Sequence, residues 1–218
     1  MNSTPTRKLD APTSDTWAFA EDFVAPSDAL RQARDEAHLA GHVPISNGVA
    51  SLLTVLAATT GAKAVVEVGT LMGASAIAFF EGMGKDGILT SIDADAEHQI
   101  AARRLLSASG YPSSRFRLIA GTPLEVLPKL RDGAYDVVFI NGDKLEYVEY
   151  VAGALRLLRH GGLLIVHDAT WNNTVADESS QGDETIIIRE ALEAVTQSDS
   201  YTRALLPVGN GLLVAVKH

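Results

Sequence analysis

The stretch Ala64-Val65-Val66-Glu67-Val68-Gly69-Thr70-Leu71-Met72-Gly73-Ala74-Ser75 constrains this chain more than any other. Its β-branched valines, bounded by turn residues, read as a strand buried on both faces of a parallel sheet. Gly69 stops that strand, and an apolar helix pattern starts at Ala74 and runs to Met83. Strand, glycine turn and helix in this order form the opening unit of an α/β sheet. The glycines let backbone approach a ligand, and the free amides of the first helical turn face it. Gly-x-x-x-Gly lacks the third glycine of the dinucleotide fingerprint, which counts against a nicotinamide oxidoreductase. Glu67, one residue before the strand ends, would repel a phosphate and attract a cationic group. A βα turn that uses its glycines only for packing is the alternative at this point.

The alternation continues along the chain. Strands are expected at 88–93, 116–120, 135–140 and 163–167, and helices at 96–109, 147–158 and 184–196. Thr122-Pro123-Leu124-Glu125 has the form of a capping box with proline at the first helical position, starting a helix that runs to about residue 130. Strands separated by helices pair in parallel through right-handed crossovers. The last two strands, 201–206 and 212–217, flank Pro207-Val208-Gly209-Asn210-Gly211, a loop that suits only a hairpin. The expected fold is therefore an α/β, Rossmann-like sheet, mostly parallel with one antiparallel strand, helices on both faces, and a helical preface. That preface comprises helices at 15–23, 28–39 and 47–60, the second capped by Ser27 and the third ended by Gly61. His42-Val43-Pro44-Ile45-Ser46 connects the last two, either passing over a ligand or serving as a linker. Residues 1–12, polar and proline-bearing, read as a disordered leader. The rest, 13–218, reads as a single domain, with the preface at 13–61 and the core at 62–218.

Charge and composition narrow the partner. A formal net charge of −9 disfavours a nucleic acid, whose binders need lysine and arginine patches. There are no cysteines, so disulfides and thiolate metal sites are excluded. No apolar run approaches the ~20 residues of a membrane span, and no signal sequence is visible. These features point to a cytoplasmic protein acting on a small molecule.

In such sheets ligands bind beyond the carboxyl ends of the strands. Asp93 closes the second strand, 24 residues after Gly69, where a carboxylate either accepts ribose hydroxyls or caps the next helix. Thr122 and Pro123 either flank an adenine ring or merely start their helix. The fourth strand leads into Asn141-Gly142-Asp143-Lys144, and the fifth into His167-Asp168-Ala169-Thr170-Trp171.

Val-Glu-Val-Gly-Thr followed by Gly-x-Ser resembles the first motif of class I S-adenosylmethionine-dependent methyltransferases. With Asp143-Lys144, Leu-Leu-Arg-His-Gly-Gly at 157–162 and Leu-Leu-Pro-Val-Gly-Asn-Gly-Leu at 205–212, residues 43–218 resemble the bacterial branch of the caffeoyl-coenzyme A and catechol O-methyltransferase family. The resemblance implies S-adenosylmethionine held by Ile45, Glu67, Gly69, Thr70, Ser75, Asp93, Pro123 and Asp143. It also implies a homodimer and a lysine, Lys144, near the acceptor oxygen. Members of this family hold a divalent cation with an aspartate after the fourth strand, an aspartate after the fifth, and an adjacent asparagine. Here those positions are Asn141, Asp168 and Ala169, a set too poor in charged oxygens for such a cation, so no metal is expected. Asn141 then becomes a substrate contact, with Trp171, Asn172 and Asn173 beside it. Lys144 or Asp168 would deprotonate the acceptor, unless it is an acidic phenol. A lysine needs burial or a cationic neighbour to act as a base, and a solvated Lys144 is the alternative. His167 should point away from Asp168 by strand alternation and be structural. The expected activity is O-methylation of a small hydroxylated, phenolic molecule. The alternatives are a cofactor-binding homologue without activity and an NAD-dependent oxidoreductase.

Overall fold

The computed structural model describes residues 11–218; the first ten positions of the expected leader lie outside the described residues. A seven-stranded sheet is built from β1 (Ala64–Val68), β2 (Ile88–Asp93), β3 (Phe116–Ala120), β4 (Tyr135–Ile140), β5 (Leu158–His167), β6 (Tyr201–Leu206) and β7 (Leu212–Lys217), in the order β3-β2-β1-β4-β5-β7-β6. All pairings from β3 across to β5 are parallel, and β7 runs antiparallel to both of its neighbours. The strand order reverses between β1 and β4, which places the ligand crevice of such sheets between their carboxyl ends.

Alternation along β1 sends its side chains to two different layers. Val65 joins one apolar layer with Phe79, Leu89 and Phe139, covered by α3 (Asn47–Thr60) and α4 (Ala74–Gly82). Val66 and Val68 join the other, with Val138, Ile140, Tyr147 and Ile188, covered by α7 (Tyr147–Leu157) and α8 (Asp183–Gln197). Glu67 therefore falls on the α3–α4 side. α5 (Ala96–Ala108) follows β2.

The preface is tied to the far end of the chain. α1 (Ser14–Glu21) and α2 (Asp28–Leu39) lead to α3, whose N-terminus is capped by Ser46 accepting from the Val49 amide at 3.2 Å. Glu21 accepts from the Gly48 amide at 2.8 Å and from the Gly209 amide at 2.7 Å, joining α1, α3 and the hairpin loop. Among the described residues no helix is long and apolar enough to cross a membrane.

Two local expectations are corrected. The helix after β3, α6 (Pro123–Val126), is a single turn continued by a 3-10 turn at Leu127–Lys129, because Pro128 has no amide to give. Thr122 makes no side-chain cap; its carbonyl, not its hydroxyl, accepts from Glu125 and Val126, so the capping box does not form. The second correction is that β5 begins at Leu158, five residues before the expected start at Leu163. Leu158 pairs with Tyr135, and the register then shifts across Gly161, which takes φ +76.

Candidate active site

The turn after β1 is clamped from both sides. Gly69, at φ +93, donates its amide to the Ile92 carbonyl at 2.8 Å, and a Cβ there would come 2.2 Å from the Asn141 carbonyl oxygen. Only glycine fits between the ends of β2 and β4. Asp93 fastens the rest of the turn: Oδ2 accepts from the amides of Thr70 (2.9 Å) and Leu71 (3.1 Å), and Oδ1 from that of Asp95 (2.9 Å). Leu71 is held at φ +45, a conformation that persists only when its surroundings impose it.

These contacts shape a cavity of about 370 Å³ at the switch point, within the roughly 300 to 1,000 Å³ of small-molecule sites. Gly69, Asp93, Pro123, Asn141, Asp143, Lys144 and Asp168 line it, so the structure brings these candidates together. It also adds residues that the sequence reading missed, among them Leu71, His98, Glu146 and Tyr150. His98 Nδ1 donates to Asp93 Oδ2 at 3.1 Å, and its Nε2 lies 3.2 Å from Nε2 of His42 in the connector. The five-residue step from Asp93 to His98, one turn into α5, was the available signal.

Ile45, Glu67, Thr70 and Ser75 are buried and are not among the cavity-lining residues. Ile45 packs with Val49 and Leu53 in the core. Glu67, expected to face a cationic ligand, turns under the β1 turn instead, as strand alternation requires, and accepts from the hydroxyls of Ser75 and Ser91. The Thr70 hydroxyl bonds to Ser91 at 2.6 Å and accepts from Gln99 Nε2 at 2.8 Å, which also reaches the Ile119 carbonyl at 3.1 Å. Burial pushes the Glu67 carboxyl up to about 7, against the lowering effect of the two serine bonds. This network supports the turn from below.

A second cluster occupies the β4–β5 end. Lys144 Nζ lies 2.8 Å from Asp168 Oδ2, with side-chain exposures of 13% and 16%, so the solvated lysine is not what forms. The same ammonium sits 5.1 Å from the Tyr147 ring centroid and 5.4 Å from that of Trp171. Asn210 Nδ2 donates to Asp168 Oδ1 at 3.0 Å. Burial would raise the Asp168 carboxyl, but His167, Lys144 and the bonds from Lys144 and Asn210 outweigh it and hold the group below the usual range. His167 does not point clear of this cluster. β5 ends at His167, and Asp168 turns off it at φ +56, so strand alternation no longer separates the two. His167 Nδ1 lies 2.8 Å from Asn141 Oδ1 and 3.5 Å from Asp168 Oδ2. Burial, aided by the Lys144 charge, pushes the imidazole down to about 4, against the opposing pull of Asp168. Trp171, Asn172 and Asn173 all take positive φ in the following turn. Trp171 is half-buried beside Lys144 and Asn172 and Asn173 are exposed; none of the three is among the cavity-lining residues.

A divalent cation fits this cluster poorly. Asn141 Oδ1 is engaged by His167, both Asp168 oxygens have partners, and Ala169 offers only a buried methyl. Among the described residues no group of three or more His, Asp or Glu could hold a metal ion.

Residues 25–218 match the family model described as O-methyltransferase. A Mycobacterium tuberculosis protein named a probable O-methyltransferase is 40% identical over 201 residues, covering 92% of this chain and 90% of the relative. The crystal structure of a Corynebacterium glutamicum protein superposes with a TM-score of 0.85 at 30% identity, over 92% of this chain and 94% of that one. A Bacillus cereus O-methyltransferase solved in complex with SAH shares the fold, with a TM-score of 0.84 at 24% identity over 94% and 99% of the two chains.

Proposed function

The chain belongs to the O-methyltransferase family, and from that premise we propose that it transfers a methyl group from S-adenosylmethionine to a hydroxyl of a small phenolic molecule without a catalytic divalent metal. The observation that carries the metal-free reading is the Lys144–Asp168 pair, which sets a protein cation beside the carboxylate that would otherwise ligate one.

The cavity fits the cofactor. Asp93 stands at its wall with Oδ1 engaged by only one amide, leaving capacity for ribose hydroxyls. Leu71, Ile92 and Pro123 supply apolar wall for a purine, and Asp143 and Glu146 add carboxylates near it. Gly69 and Thr70 would contribute through backbone. Ile45, Glu67 and Ser75 would act one layer back, by holding the turn. When bound, the cofactor supplies an electrophilic methyl on a sulfonium.

The chain's own part is orientation and proton management. Holding acceptor oxygen and methyl in line supplies much of the acceleration in a displacement of this kind. Asn141 lines the cavity as a hydrogen-bonding group, and Trp171 flanks Lys144. Asp168 fixes the Lys144 ammonium, which can stabilise the acceptor oxygen as its proton leaves; Asp168, a base weakened by its partners, receives that proton from an acidic phenol. Asn173 would contact only a substrate that extends out of the cavity.

The reading extends to assembly and location. Phe19, Phe23 and Val55 of the helical preface are more than half exposed and suit the interface of a homodimer in the cytoplasm. Light scattering at micromolar concentration should give twice the chain mass; a monomer would contradict this part. The function itself is tested by calorimetry with S-adenosylhomocysteine, together with methyl transfer from labelled S-adenosylmethionine to a panel of phenols. Binding without transfer to any acceptor would favour an inactive homologue, and absence of binding would overturn the reading.

A further inference from the structure

His167 Nδ1 faces two oxygens, Asn141 Oδ1 at 2.8 Å and Asp168 Oδ2 at 3.5 Å. A carboxylate only accepts, so an unprotonated Nδ1 would aim its lone pair at Asp168. The proton therefore sits on Nδ1, whether the ring is neutral or charged. Nδ1–H donates to Asn141, which fixes the amide with Oδ1 toward His167 and turns Nδ2 the other way. Nδ2 makes no hydrogen bond to the described residues, and Asn141 lines the cavity beside Lys144.

The side chain at 141 thus presents a donor where a carboxylate would present an acceptor. Lys144, a donor only, lines the same cavity, and its pairing with Asp168 leaves the two without net charge. Resting on the methyltransferase reading above, we infer that His167 is a positioning residue that makes Asn141 a hydrogen-bond donor, so that the acceptor carries, beside the hydroxyl to be methylated, a neutral oxygen that only accepts, as in an ortho-hydroxyaryl ketone. The second hydroxyl of a vicinal diol can accept there only by turning its own proton away from both donors, toward the other hydroxyl or solvent, a constraint that a ketone oxygen does not carry. Mismatched donors or acceptors in a closed site cost more than matched ones return, which is how such sites discriminate.

The test uses 2-hydroxyacetophenone and catechol as probes, titrated calorimetrically into protein saturated with S-adenosylhomocysteine in the presence of EDTA. The wild type should bind the ketone more tightly. Asn141→Asp should invert the preference, moving the ratio of the two dissociation constants by about tenfold or more. His167→Phe should bring that ratio toward unity, whereas His167→Asn, whose amide can donate where Nδ1–H did, should keep it. Nitrogen-15 NMR of the wild type should show the His167 Nδ1 protonated, a signature that a merely structural histidine need not give. Failure to bind S-adenosylhomocysteine would overturn the methyltransferase reading and this inference with it. Intact cofactor-product binding with catechol preferred, no measurable binding of the ketone, a ratio unmoved by Asn141→Asp, or an unprotonated Nδ1 would overturn the inference alone.

Discussion

Lys144 Nζ and Asp168 Oδ2 are 2.8 Å apart across the carboxyl ends of β4 and β5, and each side chain is less than one-fifth exposed. Water does little to screen such a pair, so removing one partner leaves the other as an uncompensated, largely buried charge. Lys144→Met should lower methyl transfer by about 100-fold or more while changing the S-adenosylhomocysteine dissociation constant by less than about threefold. Steady-state rates with labelled cofactor, set against calorimetry, read the two effects separately.

Asp93→Ala should weaken S-adenosylhomocysteine by about 1 to 3 kcal/mol, the range for losing a charged hydrogen-bond partner. The loss would combine the proposed ribose contact with the release of the Thr70 and Leu71 amides that Asp93 holds. An unchanged dissociation constant would refute the assignment.

Gly69→Ala adds a methyl 2.2 Å from the Asn141 carbonyl at a backbone angle that alanine disfavours. The β1 turn and the start of the β4 loop must then part. Thermal unfolding should show a loss of about 2 kcal/mol or more, with S-adenosylhomocysteine binding impaired.

The strand-turn-helix at 64–75 and the hairpin around Gly209 were readable because local chemistry dictates them: β-branched residues, a glycine stop, a loop too short to cross over. The cavity residues Asp93, Asn141, Asp143, Lys144 and Asp168 were readable because they close strands or follow their ends. Glu67 was not, since its direction depends on which face of β1 meets α4, and Ser75 and Ser91 claim it from eight and 24 residues away. The early start of β5 rests on Leu158 pairing with Tyr135, a contact between distant segments that no local pattern signals. His167 was misplaced because alternation was carried one residue past the end of its strand.

Glu67 and His167 should give opposite pH dependences. Burial raises the folded carboxyl of Glu67 from 4.5 to about 7, so its contribution to stability is full below pH ~4.5 and is lost as pH rises through ~7. The magnitude is roughly 3 kcal/mol. Glu67→Gln cannot ionise, so its stability relative to wild type should increase between pH 5 and pH 8 in denaturant titrations. A difference independent of pH would contradict the assignment.

For His167 the sign reverses. Its folded imidazole is lowered from 6.5 to about 4, so stability is present above pH ~6.5 and is lost as pH falls toward 4. His167→Asn should remove that acid-side loss, flattening the stability curve between pH 4 and 6.5. An acid limb as steep as that of wild type would show that His167 does not cause it.

The metal-free reading is tested most directly by measuring methyl transfer to hydroxylated aromatics in EDTA and again with excess magnesium. With a lysine cation beside Asp168 and a methyl at Ala169, the rate in EDTA should equal the rate with magnesium. A rate abolished by EDTA and restored by magnesium would show that the protein recruits a cation, contradicting the role given to the Lys144–Asp168 pair.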